Sequence, residues 1–84
     1  MKKIKDYLKS IYADDFSIIK DKDNKFIYYF ISIGNYTSID ITFKKGEEKQ
    51  INKELLILCK SFDFSFYLCF DSLKELKTFN KCSN

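Results

Sequence analysis

The sequence predicts a small single domain of the α+β class, because three kinds of pattern occur along one short chain. Two β-rich segments flank Gly34-Asn35, residues 62–70 alternate between apolar and polar side chains, and apolar residues recur at helical spacing elsewhere. The 84 residues are 45% hydrophobic, which is enough for one core without disulfides or a metal. We expect one domain, residues 1–84, with the order α-β-β-β-α-β-α and helices packed on a mainly antiparallel four-stranded sheet.

The first predicted element is an amphipathic helix over residues 2–13. Ile4, Leu8 and Ile11 lie on one helical stripe, which is expected to face the core. A cluster of basic side chains surrounds the stripe: Lys2, Lys3, Lys5 and Lys9.

Three strands are predicted to follow. Phe16 to Lys20 is a short strand, residues 21–24 are typical of a turn, and residues 25–33 form a long β-rich strand. Gly34-Asn35 is typical of a two-residue hairpin loop, which leads into a third strand over residues 36–44.

A two-residue loop determines a register, and the register assigns each side chain to one face of the sheet. Pairing Ile33 with Tyr36 sets a row of apolar pairs on one face, which is the predicted core: Phe30 with Ile39, Tyr28 with Ile41 and Phe26 with Phe43. Extended through the turn at 21–24, the same reasoning sets Ile18 beside Ile27. The opposite face then holds Phe16, Ile18, Ile27, Tyr29, Ile31, Ile33 and Tyr36. This is too much apolar surface to leave in water, so either a helix or a partner covers it.

A second helix is predicted over residues 48–61, where Ile51, Leu55 and Leu58 recur at helical spacing. The apolar run at 55–58 leaves a buried strand open as the alternative for residues 50–61.

The C-terminal part of the chain predicts one strand and one helix. Residues 62–70 form a half-buried strand with one side apolar: Phe62, Phe64, Phe66, Leu68 and Phe70. Ser72 and Glu75 have the spacing of a capping box, which opens a short helix with Leu73, Leu76 and Phe79 on one side.

The second apolar face supplies the predicted protein interface. Tyr29, Ile31, Ile33 and Tyr36 lie near the hairpin tip, and Tyr is enriched at protein contacts. The alternative is that a helix packs there. Even then, other apolar surface is left for self-association into a homodimer.

Missing residue types exclude most enzymatic chemistry. The chain has no His, so a Ser or Cys nucleophile lacks its usual base, and a Cys/His zinc site cannot form. Gly34 and Gly46 are its only glycines, which excludes a glycine-rich phosphate loop. Residues 21–24 open like a calcium loop, but Phe26 stands where that loop requires Gly, so a turn is the better interpretation. We expect no enzymatic activity, no catalytic or metal-ligating residues and no cofactor.

Cysteine usage and the absence of long apolar segments predict a cytoplasmic protein that does not enter a membrane. Cys59, Cys69 and Cys82 are odd in number and widely spaced, which favours reduced thiols, and Cys82 is expected to be the most exposed and reactive. No signal peptide is recognisable, and the apolar run at 26–33 is too short to span a bilayer.

The basic cluster on the first helix favours nucleic-acid binding as the alternative function. Lys2, Lys3, Lys5 and Lys9 could follow a phosphate backbone while exposed tyrosines stack on bases. A net charge of +3 is small for such a role, and acidic residues are scattered through the rest of the chain.

The function that the sequence favours is a non-catalytic protein-binding module. Val is absent while Lys, Ile, Phe, Asn and Tyr are frequent, a bias typical of AT-rich genomes, so the absence of Arg carries less weight than the absence of His. In size and composition the whole chain resembles the accessory proteins of phages and other mobile elements, a class that includes anti-CRISPR inhibitors. The resemblance implies an inhibitor that blocks a partner protein sterically. A nucleic-acid mimic would be strongly acidic, which this chain is not.

Overall fold

The computed structural model describes residues 1–61 and 67–82, which form three helices and four strands. The elements are α1 Lys2–Tyr12, β1 Phe16–Lys22, β2 Phe26–Ile33, β3 Thr37–Lys44, α2 Glu48–Ser61, β4 Tyr67–Phe70 and α3 Leu73–Cys82. Their order is the predicted α-β-β-β-α-β-α, and the α+β class is confirmed.

The four strands form one sheet in the order β1-β2-β3-β4. The first three strands are an antiparallel meander, whereas β4 pairs with β3 in parallel. Because two parallel neighbours need a crossover, the chain passes through α2 between them. The helices pack together over one face of the sheet, and the core lies between the helices and that face.

The hairpin between β2 and β3 has a three-residue loop, and the predicted register was wrong by one residue. Ile33 pairs with Thr37 instead of Tyr36, so the loop consists of Gly34, Asn35 and Tyr36. Gly34 opens this loop at φ 60°, a left-handed conformation that glycine adopts without a steric penalty.

A one-residue shift turns every side chain of one strand to the other face relative to its neighbour. Tyr29 therefore lies opposite Ile41, and Ile31 opposite Ile39. The predicted core pairs of Phe26, Tyr28 and Phe30 do not form, and these rings lie on the opposite side of the sheet. The shift has a clear physical benefit, because it places the most apolar sides of both strands under the helices.

The pairing of β1 with β2 was also displaced, but by an even number of residues. Ile18 lies opposite Ile31 instead of Ile27, since β1 continues to Lys22. Asp23 closes the turn, where its Oδ1 accepts the backbone N–H groups of Lys25 and Phe26, both at 2.8 Å. An even displacement leaves each side chain on its predicted face.

The core is one cluster of side chains from the helices and the covered face of the sheet. Its buried apolar members are Ile4, Leu8, Ile27, Tyr29, Ile31, Ile33, Ile39, Ile41, Phe43, Ile51, Leu55, Leu58, Cys59, Phe70, Leu73 and Leu76. The apolar run at 55–58 is helical, so the strand alternative for residues 50–61 is excluded. Ile11 was predicted to face the core, but it is 53% exposed, and only Ile4 and Leu8 of α1 are buried.

The C-terminal predictions are confirmed where the structure describes them. In β4, Phe70 is buried and Leu68 is half-buried, whereas Tyr67 and Cys69 are exposed, as the alternation predicts. Residues 62–66 of the predicted strand lie outside the described residues.

The capping box at the start of α3 is also present. Ser72 Oγ accepts the backbone N–H of Glu75 at 3.2 Å, and the Glu75 carboxylate accepts the backbone N–H of Asp71. The Ser72 bond satisfies a donor that the first turn of a helix leaves without a partner. The Glu75 carboxylate accepts the N–H of Asp71, one residue before the N-cap, instead of the N–H of Ser72 that a full capping box uses.

Candidate binding surfaces

The sheet face opposite the helices is the first candidate surface, called the open face below. The strand registers place alternate residues of each strand on it. Its members are Ser17, Ile19, Asp21, Phe26, Tyr28, Phe30, Ser32, Ser38, Asp40, Thr42, Lys44, Tyr67 and Cys69.

Large apolar and aromatic side chains are exposed on the open face. Ile19 is 58% exposed and lies directly opposite Phe30, which is 40% exposed. On the next strands Asp40 and Cys69 continue this row, and Tyr67 beside them is 61% exposed. This Ile–Phe pair joins the edge strand β1 to its neighbour β2, and it provides exposed apolar area for a partner.

Two tyrosine–carboxylate hydrogen bonds hold acidic side chains beside the rings of the open face. Tyr28 donates its hydroxyl to Asp23 Oδ2 at 2.6 Å, and Tyr67 donates to Asp40 Oδ2 at 2.8 Å. The hydrogen bond from Tyr28, with help from two backbone N–H groups, lowers the pKa of Asp23 to about 2. The hydrogen bond to Asp40 raises the pKa of Tyr67 to about 12. The lowered pKa of Asp23 therefore keeps this carboxylate ionised beside the ring of Tyr28 at neutral pH.

A groove between α1 and α2 is the second candidate surface, called the lysine groove below. It has a volume of about 560 Å³. Its lining residues are Met1, Lys2, Lys3, Ile4, Lys49, Asn52, Lys53, Leu56, Ile57 and Lys60. At the far end, Lys60 Nζ lies 5.7 Å from the centroid of the Tyr7 ring, which is within range of a cation–π contact.

The predicted protein interface is mostly buried, which corrects that prediction. Tyr29, Ile31 and Ile33 belong to the core under the helices, and Tyr29 donates its hydroxyl to Glu48 Oε2 of α2 at 2.6 Å. Burial and this hydrogen bond raise the pKa of Tyr29. Tyr36 alone among the predicted interface residues is exposed, at 80%, in the hairpin loop. The alternative, in which helices pack on this face, is the correct one.

The four lysines predicted to contact nucleic acid divide into two pairs. Lys2 and Lys3 line the groove, whereas Lys5 and Lys9 are exposed elsewhere on α1. The groove lining also contains three lysines of α2 that were not among the predicted nucleic-acid contacts: Lys49, Lys53 and Lys60. The spacing of Lys49 and Lys53 places both on one side of α2, a signal that periodicity could have supplied.

The cysteines and acidic residues form no reactive or metal-binding centre that the described ranges reveal. Cys59, Cys69 and Cys82 are free thiols. Cys59 is buried, and burial raises its pKa to about 11, whereas Cys69 and Cys82 are both exposed. Within residues 1–61 and 67–82, no group of three Cys, Asp or Glu side chains is arranged to hold a metal ion.

Together, the fold and these surfaces define a small α+β domain with helices on one face of its sheet and the other face uncovered by them. None of its described helices has both the length and the apolar character that a membrane span requires. A scan against protein-family models finds no match, and the searches of curated proteins and of solved structures find no significant match either.

Proposed function

We propose that this protein is a non-catalytic binding module that acts by occupying a partner protein through its open face. The observation that carries the proposal is the exposed pair formed by Ile19 on the edge strand β1 and Phe30 on the neighbouring strand β2. Covering such a pair gains about 25 cal/mol for each Å² of apolar surface removed from water. The flanking Tyr28 and Tyr67 supply rigid rings with polar ends, as protein interfaces commonly do.

The charges on the open face favour a protein over a nucleic acid as its partner. Binding of single strands combines stacking rings with a basic path for the phosphates. Here the rings lie beside Asp21, Asp23 and Asp40, and Lys44 opposite Phe26 is the one lysine among the described open-face residues. The lysine groove lies on the helical side of the molecule. The stacking rings and the basic side chains that a single strand needs therefore lie on different surfaces of the molecule.

Nucleic-acid binding is the second candidate function, and the meeting of Lys2 and Lys3 with three lysines of α2 favours it. Its signature is steep salt dependence, because bound phosphates release counterions. Titration of a generic duplex and a generic single strand at low and high salt is the direct measurement. If neither binds at low salt, this candidate is excluded.

At a finer level, we propose that the module is an accessory inhibitor of the kind that phages and mobile elements encode. It would work in the cytoplasm by blocking a surface of its partner. Support for this level comes from small size and composition, together with a binding surface that needs no cofactor.

The test uses two matched variants. Ile19→Asp places a charge on the open face, and Ile11→Asp makes the same change on α1, where the original side chain is exposed to a similar degree, 53% against 58%. Both variants and the unmodified protein are immobilised and exposed to lysate of the native host. Any retained protein is then identified, purified and titrated. We expect the partner to bind the unmodified protein and Ile11→Asp equally, and to bind Ile19→Asp at least about tenfold more weakly.

Two results would contradict the proposal. One is a partner that binds Ile19→Asp as tightly as the unmodified protein. The other is the absence of any stoichiometric partner, including a second copy of the chain, which sedimentation equilibrium detects as a mass that rises with concentration.

A further inference from the structure

The lysine groove carries an inference that does not depend on the open face. Its charged lining side chains are all lysines, and Met1, Leu56 and Ile57 provide an accessible apolar floor between them, above the buried Ile4. We propose that this groove binds a short acidic amphipathic helix of a partner protein. The apolar side of that helix would lie on the floor, and its carboxylates would face the lysines on both walls.

The length of the lysine row fits a helix of about three turns. Lys49 and Lys60 mark its ends on α2. At about 1.5 Å per residue, the distance along α2 between them is about 16 Å. An amphipathic helix of similar length binds an apolar groove through anchors three and four residues apart. The opposite wall is short and contributes Lys2 and Lys3 from the first turn of α1.

The charges of the groove lining favour an anionic occupant. Five lysines around one groove repel each other, and no Asp or Glu is among the lining residues. Carboxylates on an incoming helix would relieve this repulsion and form ion pairs at the rim. Such pairs contribute mainly to association rate and partner choice.

A nucleic acid and a second copy of the chain fit the groove less well. The lining residues include no aromatic side chain, and the one ring at its end, Tyr7, lies against Lys60, so successive bases would find no row of stacking partners. Phosphates gain nothing from an apolar floor. A second copy would have to supply an acidic helix, yet each of α1, α2 and α3 contains more Lys than Asp and Glu together. Charge complementarity therefore selects a different, acidic protein segment.

The probe for the test is a fluorescein-labelled synthetic peptide of about 12 residues, with Leu on one helical face and Glu on the other. A scrambled peptide of the same composition is the control for amphipathic order. Fluorescence anisotropy is recorded at about 50 mM and about 300 mM NaCl, since salt screens the rim ion pairs.

Two double variants test where the peptide binds. Lys49→Glu/Lys53→Glu reverses two charges four residues apart inside the groove. Lys5→Glu/Lys9→Glu makes the same change at the same spacing on α1, outside the groove lining. We expect the first variant to weaken peptide binding at least about tenfold and the second less than about twofold. Ile19→Asp on the open face should leave peptide binding unchanged, so the inference and the proposed function can fail separately.

The unfolding temperature of the same variant tests whether these lysines stabilise the fold instead of binding a partner. Because like charges are removed from one groove, Lys49→Glu/Lys53→Glu should unfold at the same temperature as the unmodified protein or a higher one. A lower unfolding temperature would mean that these lysines stabilise the fold, and would count against the groove as a binding site.

Three binding results would overturn the inference. The first is no peptide binding at low salt. The second is equal binding of the scrambled peptide, which would reduce the effect to unspecific charge attraction. The third is tighter binding of a generic DNA single strand or duplex that both double variants weaken equally, which would assign the lysines to nucleic acid.

Discussion

The two faces of β2 contain similar side chains but have opposite environments. One face presents Tyr29 and Ile31 to the helices, where both are fully buried. The other presents Tyr28 and Phe30 to the uncovered side of the sheet. Hydrophobicity along the strand does not distinguish these faces. The difference comes from the pairing with β3 and from the side on which the helices pack, so aromatic content alone does not locate either a core or a binding surface.

The largest expected difference between the two faces is the loss in free energy of unfolding when an isoleucine is replaced by alanine. Ile31→Ala should lower the free energy of unfolding by about 3 kcal/mol, because it leaves a cavity in the core. Ile19→Ala, at an exposed position on the neighbouring strand, should change it by less than about 1 kcal/mol. Urea denaturation of both variants measures the difference. Equal losses would mean that the open face is covered.

A smaller difference in the free energy of unfolding is expected between removing the hydroxyl of Tyr29 and removing that of Tyr28. Tyr29→Phe removes the hydrogen bond to Glu48 beneath α2 and should cost about 1 kcal/mol. The matched variant Tyr28→Phe removes the bond to Asp23 at the surface and should cost less. Thermal unfolding of both variants compares them. A larger loss for Tyr28→Phe would reverse the assignment of core and open faces.

The smallest expected effect is a dependence of stability on pH that originates at the edge of the open face. Folding lowers the pKa of Asp23 from 3.8 to about 2. The stability that this carboxylate contributes is therefore fully present above about pH 4 and is lost as the pH falls toward 2. Asp23→Asn should make unfolding less sensitive to pH across that window. Asp21→Asn, two residues earlier, controls for the loss of one negative charge.

An Asp23→Asn variant whose stability falls as steeply as that of the unmodified protein between about pH 4 and pH 2 would contradict this assignment. Urea titrations at several pH values give the slope directly.

The sequence predicts some residues of the lysine groove, but neither the whole groove nor the open face. The basic side of α1 follows from the periodicity of Ile4 and Leu8, and Lys2 and Lys3 were identified from it. That Lys2 and Lys3 share a groove with Lys49 and Lys53 was not predicted. Residues far apart in sequence meet only when α1 and α2 pack. The open face was missed since its identity depends on a one-residue difference in loop length.

The sequence by itself determined the order and type of the elements, the capping box at Ser72 and Glu75, and the alternation within each strand. These features arise from interactions between near neighbours in the chain, so periodicity and local hydrogen bonding are enough to predict them. The tertiary structure decided which face of the sheet became the core. Burying Tyr29 and Ile31 beneath the helices required the three-residue loop at Gly34, and the same choice left Ile19 and Phe30 exposed. Packing of α1 against α2 then assembled the lysine groove, whose walls come from segments more than forty residues apart.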